Sequence, residues 1–311
     1  MMKKKTIRIL SILFALTLCV LMFAACGNKT PEPTPAPEPA QTSNEPVTET
    51  AAEPEPAEEL SGDITTAGST SVQPLSQELA DAFNDIHPKV IIDIQGGGSG
   101  QGVKAVEEDL VDFGALSREL KDEERPLAKQ EFIIAKDGIA VVVNQDVGIE
   151  DLTKDQIKGI FTGEITNWSD VGGAAGKIVV VAREEGSGTR DAFNELTGVL
   201  GKDADGNNVD NTLETAIVQG STGAVKTTVS TTENSIGYVS LGSLSDDVKV
   251  LTVGGVAPSA QTVLDGSYVV SRPFIYIAGH SLSEAAQAFL DFIFSAEGQA
   301  IVSASGFISV A

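Results

Sequence analysis

Cysteine is almost missing from these 311 residues. The two present, Cys19 and Cys26, both lie near the N-terminus, so nothing further along can form a disulfide. A fold without cross-links must hold through its apolar core, and the chain after residue 61 is long enough to build one, in two lobes. Histidine is equally scarce. His87 and His280 sit in no motif, which removes histidine-based acid–base chemistry and a Cys/His zinc constellation. Basic residues are outnumbered, with 21 Lys and Arg against 44 Asp and Glu and a net charge of −23. That balance argues against nucleic acid and against adhesion to anionic lipid. The usual nucleotide and hydrolase signatures are also missing. Lys104 follows Val103, so no Gly-Lys-Ser/Thr ending closes the glycine-rich turn before it. Gly97-x-Ser99 runs on to Gln101 where a nucleophile elbow needs glycine. No enzyme class and no cofactor is indicated.

What is present begins with a leader. Lys3, Lys4, Lys5 and Arg8 precede an apolar run from Ile9 to Ala25, the pattern of a secretory signal peptide over residues 1–25. The run is short for a stable membrane span and has no basic flank after it. It ends in Phe23-Ala24-Ala25-Cys26, which resembles the lipobox of bacterial lipoproteins, with Phe23 where that pattern usually has Leu. The resemblance implies cleavage before Cys26 and lipidation (palmitate) of that cysteine, hence a lipid anchor on the extracellular face of the cell membrane. Residues 26–61 follow as a Pro-, Glu-, Ala- and Thr-rich linker with almost no large apolar side chain, too poor in burial to offset the entropy of ordering. Extended like polyproline, the tether reaches on the order of 90 Å.

Strand-like and helix-like segments alternate from Gly62 onward. Residues 63–67, 90–94, 111–115, 138–143 and 177–182 read as strands. Residues 72–86, with Val72, Leu75, Leu79, Ala82, Phe83 and Ile86 at helical spacing, read as a helix, as do 103–110, 153–161, 190–196 and a closing 283–294. Such alternation predicts α/β layers. Asp203, Asp205, Asn207, Asn211 and Glu214 fall at calcium-loop positions, but Asn208 stands where that loop needs glycine, so a polar loop is the expectation.

Three strand-to-helix turns share one chemistry: Gly68-Ser69-Thr70-Ser71, Gly98-Ser99-Gly100-Gln101 and Gly186-Ser187-Gly188-Thr189. The first amides of a helix have no partners within it and carry partial positive charge. Glycine lets backbone approach a ligand, and Ser or Thr adds adjustable donors. Taken singly, each turn is also an ordinary N-cap. Converging, they could surround a tetrahedral oxyanion. Arg183, just before the third turn, offers a guanidinium fork, or alternatively a surface ion pair with Glu184 or Glu185.

Together with Asp112-Phe113-Gly114-Ala115 and the stretch Ile160 to Trp168 (IFTGEITNW), these turns resemble the phosphate-binding proteins of ABC phosphate importers, in the same order and from about Gly62 to the C-terminus. The resemblance implies a two-lobed periplasmic-binding-protein-like fold of type II. Each lobe is then a mixed sheet flanked by helices, with residues 62–140 and 245–311 in lobe 1 and 141–244 in lobe 2. It implies a monomer that captures inorganic phosphate and passes it to an ABC permease and its ATPase. By position it places phosphate contacts on Thr70, Ser71, Ser99, Ser117, Arg183, Ser187, Gly188 and Thr189. Many members carry Asp where this chain has Ser117, so sulfate or molybdate is the alternative ligand, and an adhesion or sensor protein reusing the fold is the alternative function. Arg118 is open between a surface and a hinge role. Trp168 and Tyr238 read as packing residues.

Overall fold

The computed structural model describes residues 59–310. The leader, Cys26 and all but the end of the linker lie outside them. In chain order the elements are β1 (Ser61–Gly68), α1 (Gln73–Ile86), β2 (Lys89–Gly96), α2 (Ser99–Glu107), β3 (Phe113–Leu116), β4 (Gln130–Val143), β5 (Asp151–Leu152) and α3 (Lys154–Thr162). There follow β6 (Val179–Arg183), α4 (Gly188–Thr197), β7 (Leu200–Lys202), β8 (Asn208–Asp210), β9 (Ile217–Gln219), α5 (Thr222–Thr231) and β10 (Ser235–Ser240). The chain ends with β11 (Lys249–Val250), β12 (Thr252–Val253), α6 (Ala260–Leu264), β13 (Ser271–Ala278), α7 (Glu284–Phe294) and α8 (Ala296–Ala304).

Two lobes share one continuous strand path, β2-β1-β3-β13-β4-β10-β6-β9. The long strand β4 joins them. Its first part, from Gln130 to Gly138, pairs antiparallel with β13, and from Ile139 to Val143 it pairs antiparallel with β10. The partner changes between neighbouring residues, so the lobes meet where β4 passes from one partner strand to the other.

Lobe 1 packs helices on both sheet faces. Along β13, Phe274, Tyr276 and Ala278 enter the core beneath α1, α7 and α8, while the alternate Ile275 and Ile277 enter a smaller core beneath α2. α1 has Pro74 in its first turn and buries Leu75, Leu79 and Phe83, one stripe at four-residue spacing. α2 lies close to the sheet because Gly114 has no side chain: a Cβ there would come within 2.7 Å of the Gly102 carbonyl oxygen.

Lobe 2 buries Phe161, Phe193 and Tyr238 around β10, the last two stacked at 4.0 Å. α3 starts with a capping box between Thr153 and Gln156 and stops at Gly163 in the left-handed region. Trp168 packs in this core and donates its indole N–H to the Asn234 carbonyl at 3.0 Å.

Some expectations shift. Residues 245–270, placed with lobe 1 from the sequence, bury Val248, Leu251, Val253, Val263, Tyr268 and Val270 in the lobe 2 core, and the chain returns to the lobe 1 sheet only at Ser271. The expected closing helix is followed by α8, started by Ser295, whose hydroxyl accepts from the Gly298 amide. The folded part begins slightly earlier than expected, since Leu60 already packs on the lobe 1 core.

Candidate anion-binding site

The turns singled out in the sequence meet where the lobes face each other. Ser69, Thr70 and Ser71 come from the end of β1, Ser99 from the start of α2, and Ser117 from the end of β3 in lobe 1. From lobe 2 come Arg183 at the end of β6, and Ser187, Gly188 and Thr189 at the start of α4. Strand ends and helix starts lie on one edge of each parallel unit, so this topology aims several helix N-termini at one place.

The geometry joins the lobes through hydroxyls. Ser71 Oγ lies 2.8 Å from Thr189 Oγ1 and 2.8 Å from Thr222 Oγ1, both on the opposite lobe. The Thr222 amide donates to Thr70 Oγ1 at 3.3 Å, and the Gly100 amide to the Gly186 carbonyl at 2.9 Å. On the lobe 1 side, Ser69 Oγ donates to Ser117 Oγ at 2.8 Å, and the Ser117 amide donates to Ser99 Oγ at 3.1 Å. Ser69, Ser71, Ser99, Ser117, Ser187, Thr189 and Thr222 are all buried, and Thr70 is half-buried. Ser187 also serves as the cap of α4, its hydroxyl accepting from the Arg190 amide at 3.3 Å.

Arg183 is the cation of this cluster, with only 1% of its surface exposed. Nε and Nη2 fork onto the Glu184 carboxylate at 2.8 and 2.7 Å, and Nη1 donates to Thr222 Oγ1 at 3.0 Å. Of the two roles set against each other in the sequence, the ion pair with Glu184 is the one present, buried and not at the surface, and it leaves Nη1 turned to the hydroxyls through Thr222. Its backbone is fixed as well. The Arg183 amide donates to the Tyr238 hydroxyl at 3.1 Å, and its carbonyl accepts from Arg190 Nη1 at 2.7 Å. Burial pushes the Tyr238 phenol well above its ordinary range, so it stays neutral.

Thr222 is the residue that sequence reasoning missed, and Ser69, inside the first turn, is assigned no contact by it. Thr222 opens α5, behind Ser221 as N-cap, and so adds a fourth helix start. The signal was available: Gly220-Ser221-Thr222 repeats the Gly68-Ser69-Thr70 run of the first turn. In the 203–211 hairpin, Asp203 accepts from the amides of Asp205 and Asn207 and from the Asn207 side chain, so its carboxylate closes a turn. Among the described residues no group of three or more His, Cys, Asp or Glu is placed to hold a metal ion.

Residues 41–297 match the model of the PBP superfamily domain. The chain is 35% identical over 260 residues to the phosphate-binding protein PstS of Bacillus subtilis, covering 81% of this chain and 82% of that protein. It belongs to the phosphate-binding protein family. The fold is the two-lobed periplasmic-binding-protein fold. A structure from Clostridium perfringens, solved with bound phosphate, superimposes with a TM-score of 0.75 at 40% identity, over 80% of this chain and 100% of that one. An ABC-type phosphate transport receptor from Vibrio cholerae gives 0.66 at 33% identity, over 79% and 99%. These relatives are named for binding and transport and not for catalysis.

Proposed function

We propose that this chain captures inorganic phosphate outside the cytoplasm and delivers it to an ABC permease and its ATPase, held at the membrane by a lipid on Cys26. Phosphate would sit among Thr70, Ser71, Ser99, Ser117, Arg183, Ser187, Gly188, Thr189 and Thr222. The observation that carries this reading is the buried Arg183 guanidinium, which shares Thr222 with Ser71 of the opposite lobe. A guanidinium plus helix amides and hydroxyls suits a tetrahedral oxyanion. Water excluded by closure strengthens each of those interactions. The basic start, the apolar run and the small residues before Cys26 support export and anchoring, and the extended linker gives the lobes reach from the surface. One copy supplies residues from both lobes, so a monomer suffices.

Calorimetry with phosphate on the full chain tests this. Arg183→Ala should weaken binding by about a hundredfold or more, since it removes several charge-assisted hydrogen bonds and leaves Glu184 facing the anion. Equal phosphate affinity in that variant would remove Arg183 from the site.

A second ligand is favoured by one feature. Ser117 supplies a hydroxyl, able to donate or accept, and no carboxylate there repels a fully ionised anion. Sulfate or molybdate would displace phosphate in a competition titration if that feature sets the choice.

A further inference from the structure

The residue after Ser117 leaves the hydroxyl cluster and enters the seam beside it. Arg118 is 5% exposed. Its Nη1 and Nη2 fork onto the Glu124 carboxylate at 2.6 and 2.7 Å, and Nη1 also donates to the Glu119 carbonyl at 2.9 Å. These partners lie in lobe 1. The remaining nitrogen, Nε, faces lobe 2 and stands 2.9 Å from Asp191 Oδ2, as an ion pair not aligned as a hydrogen bond. Lys121 Nζ reaches the same oxygen at 3.1 Å. One carboxylate of lobe 2 thus meets two cations of lobe 1.

Asp191 is placed where this matters. It lies in the first turn of α4, its amide donating to the Ser187 carbonyl at 2.9 Å. That helix also presents Ser187, Gly188 and Thr189. With the lobes apart, Asp191 would be an unpaired carboxylate one turn from the anion site, and its field would oppose an anion. With the lobes together, Arg118 and Lys121 neutralise it. The seam borders a polar cavity of about 820 Å³ lined from both lobes by Arg118, Lys121, Asp191 and Asn194 among others. Water and salt reach the seam at the exposed Lys121, whereas the contacting atoms Arg118 Nε and Asp191 Oδ2 are buried.

We propose that Asp191 with Arg118 and Lys121 forms an interlobe ionic latch that sets how long the cleft stays closed on its anion. None of the three touches the cluster of hydroxyls around Arg183. The latch acts through closure, so Arg118 and Asp191 are positioning residues, and their signature is in the dissociation rate. Glu124 acts separately, since its fork holds the Arg118 guanidinium in place whether or not the lobes meet.

The latch rests on the phosphate reading only for the choice of probe. Asp191→Asn removes the carboxylate charge and leaves the Arg118–Glu124 fork intact. Lys121→Gln, at an exposed position, removes the outer cation. Release of radiolabelled phosphate from the full chain into excess unlabelled phosphate gives the dissociation rate. Asp191→Asn should speed release about tenfold, between the effects of an exposed pair and a buried one, and Lys121→Gln by about twofold. Association should stay within about twofold, since affinity changes within one site fall mostly on dissociation. Added NaCl should speed release from the wild type toward the Lys121→Gln rate, by screening the exposed arm of the latch, and change Asp191→Asn little. Unchanged release, or parallel salt curves, overturns the latch. A wild type that retains no phosphate overturns the ligand assignment alone. In that case small-angle scattering of the ion-free chain still decides the latch: Asp191→Asn should be the more expanded at low salt, and superimposable curves for the two proteins overturn it.

Discussion

Gly188 of lobe 2 lies against Ser99 of lobe 1 so closely that a Cβ on the glycine would collide with the serine hydroxyl oxygen and come within 2.9 Å of Ser117 Oγ. The collision is across the cleft, not within α4, where an alanine at the first helical position is acceptable. Gly188→Ala should therefore leave each lobe folded and keep them from closing. Phosphate affinity is expected to fall by about a hundredfold, because the lobe 1 hydroxyls no longer reach the ion held by α4. Calorimetry beside a thermal melt checks this. A variant that binds normally would mean that Ser99 and Ser117 can move aside at little cost.

Thr222 links Arg183 Nη1 to Ser71 Oγ, and its amide reaches Thr70. Thr222→Val keeps the shape and removes the hydroxyl. One buried hydrogen bond to a charged group is lost, worth about 1.5–3 kcal/mol, or about ten- to a hundredfold in phosphate affinity. Thr222→Ser restores the hydroxyl and should recover most of the binding. If valine and serine behave alike in titrations, Thr222 is a packing residue only.

How much of the fold and site is legible in the sequence differs between residues. The three Gly-Ser turns and Arg183 are readable because a helix start after a strand has a sequence signature, and the structure brings them together at one cleft. Thr222 escapes although its Gly-Ser-Thr run repeats the first turn, because α5 that follows has weak amphipathic patterning, burying only Thr222, Val225 and Val229. The first half of β4 and the whole of β13 are not evident from local pattern. Along β13 the side chains alternate between two cores on opposite sheet faces, so both faces are apolar and the period of two is blurred, while the first half of β4 buries the adjacent Ile134 and Ala135 in one core among Gln130, Glu131, Lys136 and Asp137. The sequence places the return to lobe 1 too early for a related reason. Whether Val248 or Tyr268 packs in one core or the other depends on the path of β4 and β10, a long-range property that local pattern does not carry.

One carboxylate ties three strands where the lobes meet. Asp137 of β4, with no exposed surface, accepts from Arg272 Nε and Nη2 of β13 at 3.1 and 3.0 Å, from Ser240 Oγ of β10 at 2.8 Å and from the Leu241 amide at 3.1 Å. Burial pushes the Asp137 carboxyl up, against the pull of Arg272, Ser240 and the Leu241 amide. Asp137→Asn leaves the Arg272 guanidinium buried without its counter-charge. Breaking such a pair from one side costs about 3–5 kcal/mol. Urea unfolding should show a lower midpoint with an unchanged slope, and a midpoint equal to wild type would show that water already reaches this hinge.

Acid should loosen the seam at Glu124. Burial alone would raise its carboxyl, but the hydrogen bonds from Arg118 and from the Lys121 amide outweigh burial and hold it below its ordinary value of 4.5. A depressed carboxyl contributes stability that is fully present above 4.5, its unfolded value, and is lost as pH falls through the lower folded value. The Arg118 guanidinium then loses the fork that holds it toward Asp191, so thermal stability and retention of phosphate should decline together in that acid range. Glu124→Gln should flatten part of the pH dependence of the melting temperature below 4.5 while lowering its plateau at neutral pH. Melting curves of both proteins across the acid range decide it. Parallel curves would mean that Glu124 is already protonated or unpaired in the folded protein, and the contact with Arg118 would then be no ion pair.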